Sequence, residues 1–502
     1  MHVIEETMKI LVLAATLATA PVRPTPPTHA FRLSIPSGAE QCRASAIHNA
    51  DSLVKHSIEA VGVDRTTGKV RVATNTDVIS MKFQSDRMYP PYLRRTVNLT
   101  TNVDWESGTL RTEQTAGQTT VANVTDGKRR VMYTPRGAQL LDVRQANFAD
   151  DRAIDPWAVL ADWRNASGLR VSGECFYRDY WRTVVSRGTG ATEEKLYLDK
   201  KSGIPIKLDR RDRDLLWGDV HAEYLWSIWT PAGAAVAPQY AFRIVEGELD
   251  YERITKDYKL IPRDSAAGKF DIAADAAPIR PQTSAPPPDT VRVSANTFVL
   301  VTPAYTNVVT LQRDTVFVLD AQTSAARAQQ DSVWIGKLFP GKHPIVLVVT
   351  DLAWPHIAGV RYWVALGTPV ISHRASKEFL QKVVDHRWTI EPDLLEKRRS
   401  SARLTFKAVD DKLDLGGGAV RLRAIDGVGS EGAVMAYVPS DRFLYAGDYI
   451  QPGGPGSFSA VYAREVRAAV QRAGFTPDRF VAMHMKLSQW LDIERIAQRG
   501  DN

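Results

Sequence analysis

Two different rhythms of apolar spacing run along this chain. From about residue 40 to 262, apolar and polar positions alternate in short stretches such as KVRVATN (Lys69–Asn75), residues 94–99, KLYL (Lys195–Leu198) and YAFRIV (Tyr240–Val245). Turn-forming clusters, Thr66-Thr67-Gly68 and Lys201-Ser202-Gly203 among them, separate these stretches. A period of two buries one face of a strand, so this half predicts a large antiparallel sheet, curved strongly enough to make a half-barrel. Arg152 to Trp163 is the one segment here whose spacing predicts a helix.

The second half reads differently. Thr297–Thr302 and Thr315–Leu319 predict short apolar strands, and Pro344–Thr350 (PIVLVVT) is a continuous β-branched run of the kind buried on both faces. Helical spacing follows at 323–338, from near Ile357, at Lys377–His386 and at Ser459–Ala473. Further strands are expected at Thr368–Ser372, around Leu404, Val420, Val434 and Phe443, and at Phe480–Met483. Helices covering mixed sheets are an α/β layered arrangement. Between the halves lies RDSAAGKFDIAADAAPIRPQTSAPPPDT (Arg263–Thr290), dominated by Ala, Ser and Pro, which predicts an extended spacer. The expected fold class is α+β, with a β-rich domain at 40–262, a linker at 263–290 and a layered domain at 291–502.

Composition narrows the function classes. With 502 residues, 44% hydrophobic and 24% charged, the chain is long enough for two cores and has a soluble globular make-up. Its net charge of +7 comes from 64 Lys and Arg interleaved with 57 Asp and Glu. No clustered basic stripe is present, which argues against nucleic acid as a partner. Ile10–Val22 (ILVLAATLATAPV) follows Lys9 and precedes a Pro-rich stretch, the layout of a secretory signal peptide with a leader reaching residue 30. The run is too short to span a bilayer, so no stable membrane span is expected once it is removed, and a periplasmic or secreted location is expected. Cys42 and Cys175 both lie beyond this signal, where an oxidising compartment favours a disulfide, although the sequence does not show whether their geometry permits one.

The stretch VVTDLAWPHIAGVRYWVALGTPVISH (Val348–His373) resembles metallo-β-lactamase-fold hydrolases. In that family a buried strand ends in T-H-x-H-x-D-H, a helix opens with Gly, and a strand reading G-x-x-V-I-x-H follows. Thr350, Ala358-Gly359 and Gly367–His373 align with these features, SEGAVMAYVPSDRFLYAGD (Ser430–Asp448) resembles the hairpin that delivers an Asp, and VAMH (Val481–His484) resembles the terminal strand with the last His. The resemblance covers about residues 291–491 and implies an αββα sandwich acting on esters, lactams, thioesters or phosphoesters. It implies metal ligands at His356, Asp448 and His484, with Asp351 as a fourth oxygen. The family's three-imidazole site is lost, however. Asp351, Ala353 and Pro355 occupy the other positions of the T-H-x-H-x-D-H motif, and Gly429 stands where the hairpin's His is expected. The remaining set suits one zinc or manganese ion, or none.

The expectation is therefore an exported hydrolase-like protein with a reduced or vestigial metal site and a small-molecule substrate. The alternative is a non-catalytic carrier. LYLDKKSGIPIKLDRRD (Leu196–Asp212) and the strand after it resemble lipoprotein-carrier-like half-barrels, which implies a hydrophobic ligand, and a plainly packed interior is the competing expectation. Gly416-Gly417-Gly418 lacks a phosphate-binding Lys and a following helix, and reads as a hairpin turn.

Overall fold

The computed structural model describes residues 41–80, 92–116, 119–135, 137–141, 152–214, 216–273, 277–278, 287–302, 305–428, 431–450 and 460–498. The apolar run Ile10–Val22, Gly429, the loop Gln451–Ser459 and the middle of the Pro-rich stretch lie outside them. The described residues fall into two compact units, 41–80 with 94–278 in one and 287–498 in the other.

In the first unit the alternating stretches form one sheet. Its strands run in the order 42–43, 170–177, 180–187, 194–199, 205–214, 218–232, 235–245, 248–262, 69–80, 94–104, 109–116, 119–125, 130–134, 137–141 and 277–278. The pairing is antiparallel except for the last strand, which lies parallel to its neighbour. The expected helix begins as a tight turn at Arg152–Ile154. It becomes α-helical at Pro156–Trp163, where the Asp155 carboxylate accepts from the Trp157 amide at 3.0 Å and Pro156 occupies the first turn.

A second helix, Ala50–Val61, was not expected. Its buried face is a narrow stripe of Ala50, Val54, Ser57 and Val61, with a Ser inside it that weakens the pattern. Both helices share one core with Val185, Leu196 and Leu208 on one side of the sheet and Val103 and Leu110 on the other, so the sheet curls around them. Trp157 Nε1 donates to the Val236 carbonyl at 2.9 Å and Trp226 Nε1 to that of Ile154 at 3.0 Å, which satisfies both buried indoles. Cys42 and Cys175 sit opposite each other on paired strands and are joined in a disulfide.

The Pro-rich stretch is not spacer throughout. Ala277–Pro278 pairs with Gly137–Leu141, and Asp289–Arg292 pairs with Thr297–Val301. Each of these short strands lies at the edge of its sheet, the position where Pro and unpaired backbone groups are tolerated.

The second unit has two sheets. One orders its strands 289–292, 297–301, 306–312, 315–319, 345–348, 370–373 and 406–409, and becomes parallel from 315–319 onward. The other orders them 412–415, 420–424, 434–438, 443–445, 479–481 and 488–489, with 443–445 parallel to 479–481. Val308, Phe317, Leu319, Val348 and Ile371 of the first meet Leu422, Ala436, Phe443, Tyr445 and Val481 of the second in a single buried core. The helices Ala460–Ala473 and Trp490–Gln498 cover the far side of the second sheet through Met435, Leu444 and Phe480. On the far side of the first sheet Leu300, Val309, Val318 and Leu347 are also buried, and Phe298 meets Phe339 at the end of the helix Ala325–Leu338. The result is an αββα sandwich. Gly416–Gly418 forms the turn between strands 412–415 and 420–424.

Candidate functional site

The parallel strands of both sheets end on one side of the sandwich, and the chemistry gathers there. Asp320 follows the strand Thr315–Leu319, Thr350 and Asp351 follow Ile345–Val348, Gly447 and Asp448 follow Phe443–Tyr445, and His484 follows Arg479–Val481. Backbone bonds tie these ends together. The Asp320 amide donates to Val348 at 2.8 Å, Val434 to Thr350 at 2.8 Å and Met483 to Gly447 at 2.7 Å.

Asp320 is the centre of the arrangement, and the sequence reading missed it. Oδ1 accepts from the Thr350 amide at 2.7 Å. Oδ2 accepts from the Thr350 hydroxyl, from His356 Nδ1 and from the Tyr445 hydroxyl, each at 2.7 Å. The carboxylate is fully buried, so four donors stand in for lost water. The backbone at Asp320 adopts φ 71°, an uncommon conformation for a residue with a side chain, held by this bonding. The available sequence signal was an acid closing the apolar strand TVFVLD.

His356 is also fully buried. Burial pulls its pKa down, but the charge and hydrogen bond of Asp320, with the charges of Asp351 and Asp448, outweigh that and push it up to about 9. The ring is thus an imidazolium at neutral pH. Its Nε2 has no hydrogen-bond partner among the described residues. Gly447 covers the ring closely. With φ 53°, a Cβ there would stand 2.5 Å from Thr350 Oγ1 and 3.5 Å from His356 Cε1, so only glycine allows this turn to lie so low.

Of the other expected ligands, Asp448 Oδ1 and His484 Nε2 lie 3.0 Å apart, both partly exposed. Tyr305 stacks obliquely beside His484, with ring centroids 5.0 Å apart, and Trp354 lies beyond it at 5.9 Å. Burial first, and then the charge of Asp448, push the Tyr305 hydroxyl up to about 12. Asp351 accepts from the Ala353 amide at 2.6 Å, a turn-closing role.

A ring held at Nδ1 by a carboxylate, with Nε2 left over, is a common posture for a metal-binding histidine. The rest of the set does not complete one. Ala353 and Pro355 bring no side-chain donor, and Asp448 is engaged with His484. Among the described residues no three His, Cys, Asp or Glu side chains come together so that they could hold a metal ion. The residues present do not fit the metal centre that the resemblance implies.

The first unit has a small pocket lined by Arg71, Asn75, Thr101, Asp155, Arg253 and Tyr258 among others. Its guanidinium groups are paired, Arg71 with Asp155 and Arg253 with Asp77. This lining suits a water molecule better than an acyl chain. No helix among the described residues is long and apolar enough to cross a membrane.

No family model matches the chain, and no curated protein matches it. Solved structures similar to it include the DIM-1 metallo-beta-lactamase, at 14% identity with a TM-score of 0.33, covering 42% of this chain and 96% of that one. A metallo-beta-lactamase from Pontibacter korlensis is similar at 13% identity, with a TM-score of 0.32 and coverage of 42% and 97%. The mono-zinc form of FIM-1 from Pseudomonas aeruginosa is similar at 11% identity, with a TM-score of 0.34 and coverage of 43% and 96%.

Proposed function

We propose that this is an exported protein whose second unit is a metallo-β-lactamase-type domain with a vestigial hydrolytic centre. The observation that carries the reading is Asp320. It gathers Thr350, His356 and Tyr445 into one buried hydrogen-bonded knot at the strand ends where such a domain would work. A knot of this kind serves cohesion between the sheets. Metal-assisted hydrolysis needs donors that lower the pKa of a bound water and a second group to receive the oxyanion, and Ala353 and Pro355 offer neither. The bonded Cys42–Cys175 pair supports export, because such bonds persist in oxidising compartments.

The test is metal analysis of the full chain produced with zinc and manganese in excess, combined with assays on a chromogenic β-lactam, an aryl ester and an aryl phosphodiester. The expected result is far less than one metal per chain and no turnover above background. Close to one equivalent of metal, lost in both His356→Ala and His484→Ala, would overturn the reading.

A further inference from the structure

One edge of the large sheet in the first unit carries a feature that neither the half-barrel core nor the proposed centre uses. Strands Arg170–Tyr177 and Tyr180–Arg187 are joined by Arg178 and Asp179, both with positive φ (46° and 66°), a tight two-residue turn whose twist matches the strands. Three aromatic side chains surround this tip without entering the core. Tyr180 is 64% exposed and Phe176 42%, and Trp181 is half-buried, edge-on to Phe176 at 5.6 Å. Cations accompany them. The guanidinium of Arg43 lies 4.0 Å from the centre of the Trp181 ring, that of Arg182 4.9 Å from Tyr180, and that of Arg178 5.6 Å from Tyr177.

The next turn along the rim adds exposed Lys200 and Lys201, brought alongside because Asp199 pairs with Arg182. Glu174 is paired with both Arg43 (2.8 Å) and Lys200 (2.7 Å), and Asp199 with Arg182, so with Asp179 the three carboxylates leave an excess of two positive charges. The tip is also stiff, since the Cys42–Cys175 bond and the pairing of 42–43 with 174–175 brace the strand behind it.

We infer that this hairpin tip docks the protein on an anionic lipid surface, with Phe176, Tyr180 and Trp181 in the headgroup layer and the exposed Arg178 and Lys201 against lipid phosphates. Tyr and Trp favour that layer because one end of each ring system is apolar and the other polar. Arg pairs bidentately with phosphate. A convex two-residue tip offers too little area for a specific protein interface, which needs on the order of 800 Å² on each partner. A lipid surface deforms around a protrusion, and a braced hairpin loses little conformational freedom on docking.

Co-sedimentation of the full chain with vesicles tests this, using phosphatidylcholine alone and an equal mixture with phosphatidylglycerol, at low and raised salt. The protein should pellet with the anionic vesicles and be released by salt. Arg178→Ser should weaken partitioning about fivefold, as expected for one cation at such a surface, and adding Tyr180→Ser should weaken it further. Tyr180→Trp should preserve binding. Both positions are exposed, so thermal unfolding should be unchanged and serves as the folding control. Equal pelleting with both vesicle types, pelleting with neither, or an unaltered double variant would overturn the inference.

Discussion

The His356–Asp320 pair makes the stability of the second unit depend on pH in a way that can be worked out in advance. The imidazole pKa rises from the ordinary 6.5 in the unfolded chain to about 9 in the fold, through the fully buried Asp320 carboxylate at 2.7 Å. Because the folded value is the higher one, the contribution is complete below the unfolded pKa. It is lost as pH rises through about 9. Integrating proton release between pH 7 and pH 9 gives a loss of about 2 kcal/mol, of the roughly 3 kcal/mol that the whole shift represents. Urea unfolding at pH 7 and 9, followed by hydrogen–deuterium exchange of peptides covering 345–358 and 434–450, measures it in the second unit alone. His356→Gln and Asp320→Asn should each be less stable than the wild type at pH 7, and each should lack this part of the pH dependence. A wild-type loss no larger than that of His356→Gln would refute the assigned charge state and, with it, the role given to Asp320.

Three other substitutions probe the same physics elsewhere. Gly447→Ala places a methyl group 2.5 Å from Thr350 Oγ1 at φ 53°, and should destabilise the second unit by about 1–3 kcal/mol in a thermal melt. Cys42→Ser opens a bond between residues 133 apart, and loop-closure entropy predicts a loss approaching about 5 kcal/mol in the first unit, seen as a lowered urea midpoint that reducing agent reproduces in the wild type. Arg243→Met leaves Asp212 and Asp250 without the buried guanidinium that now lies 2.8 and 2.6 Å from them. It should cost about 3–5 kcal/mol in a urea unfolding titration at pH 7, and a loss below about 1 kcal/mol would refute the role given to the buried guanidinium.

Hydrophobic spacing placed most strands of the second unit, while in the first it marked out an antiparallel sheet but only a few of its individual strands. Alternation of the KLYL and YAFRIV kind permits only one face to be buried, and PIVLVVT permits both. It missed the helix Ala50–Val61 because the stripe is narrow and interrupted by Ser57, and it missed the whole strand Thr306–Gln312, whose buried positions include the polar Thr306, Asn307, Thr310 and Gln312. It also read the ends of the Pro-rich stretch as spacer. Whether Ala277–Pro278 and Asp289–Arg292 become strands depends on an edge being available to pair with, and local composition does not encode that.

At the candidate site the sequence by itself determined which donors are missing, since Ala353 and Pro355 cannot coordinate through their side chains whatever their surroundings. It also placed Asp448 and His484 just beyond strands, whereas His356 falls in the short helix Trp354–Ile357 rather than at a strand end. Only the tertiary structure decided what those groups do. Asp320 lies 36 residues before His356 and 125 before Tyr445, and nothing in the local pattern couples them. Folding two sheets face to face removes water from that carboxylate, and a buried charge must then take its hydrogen bonds from whichever donors the packing brings within reach.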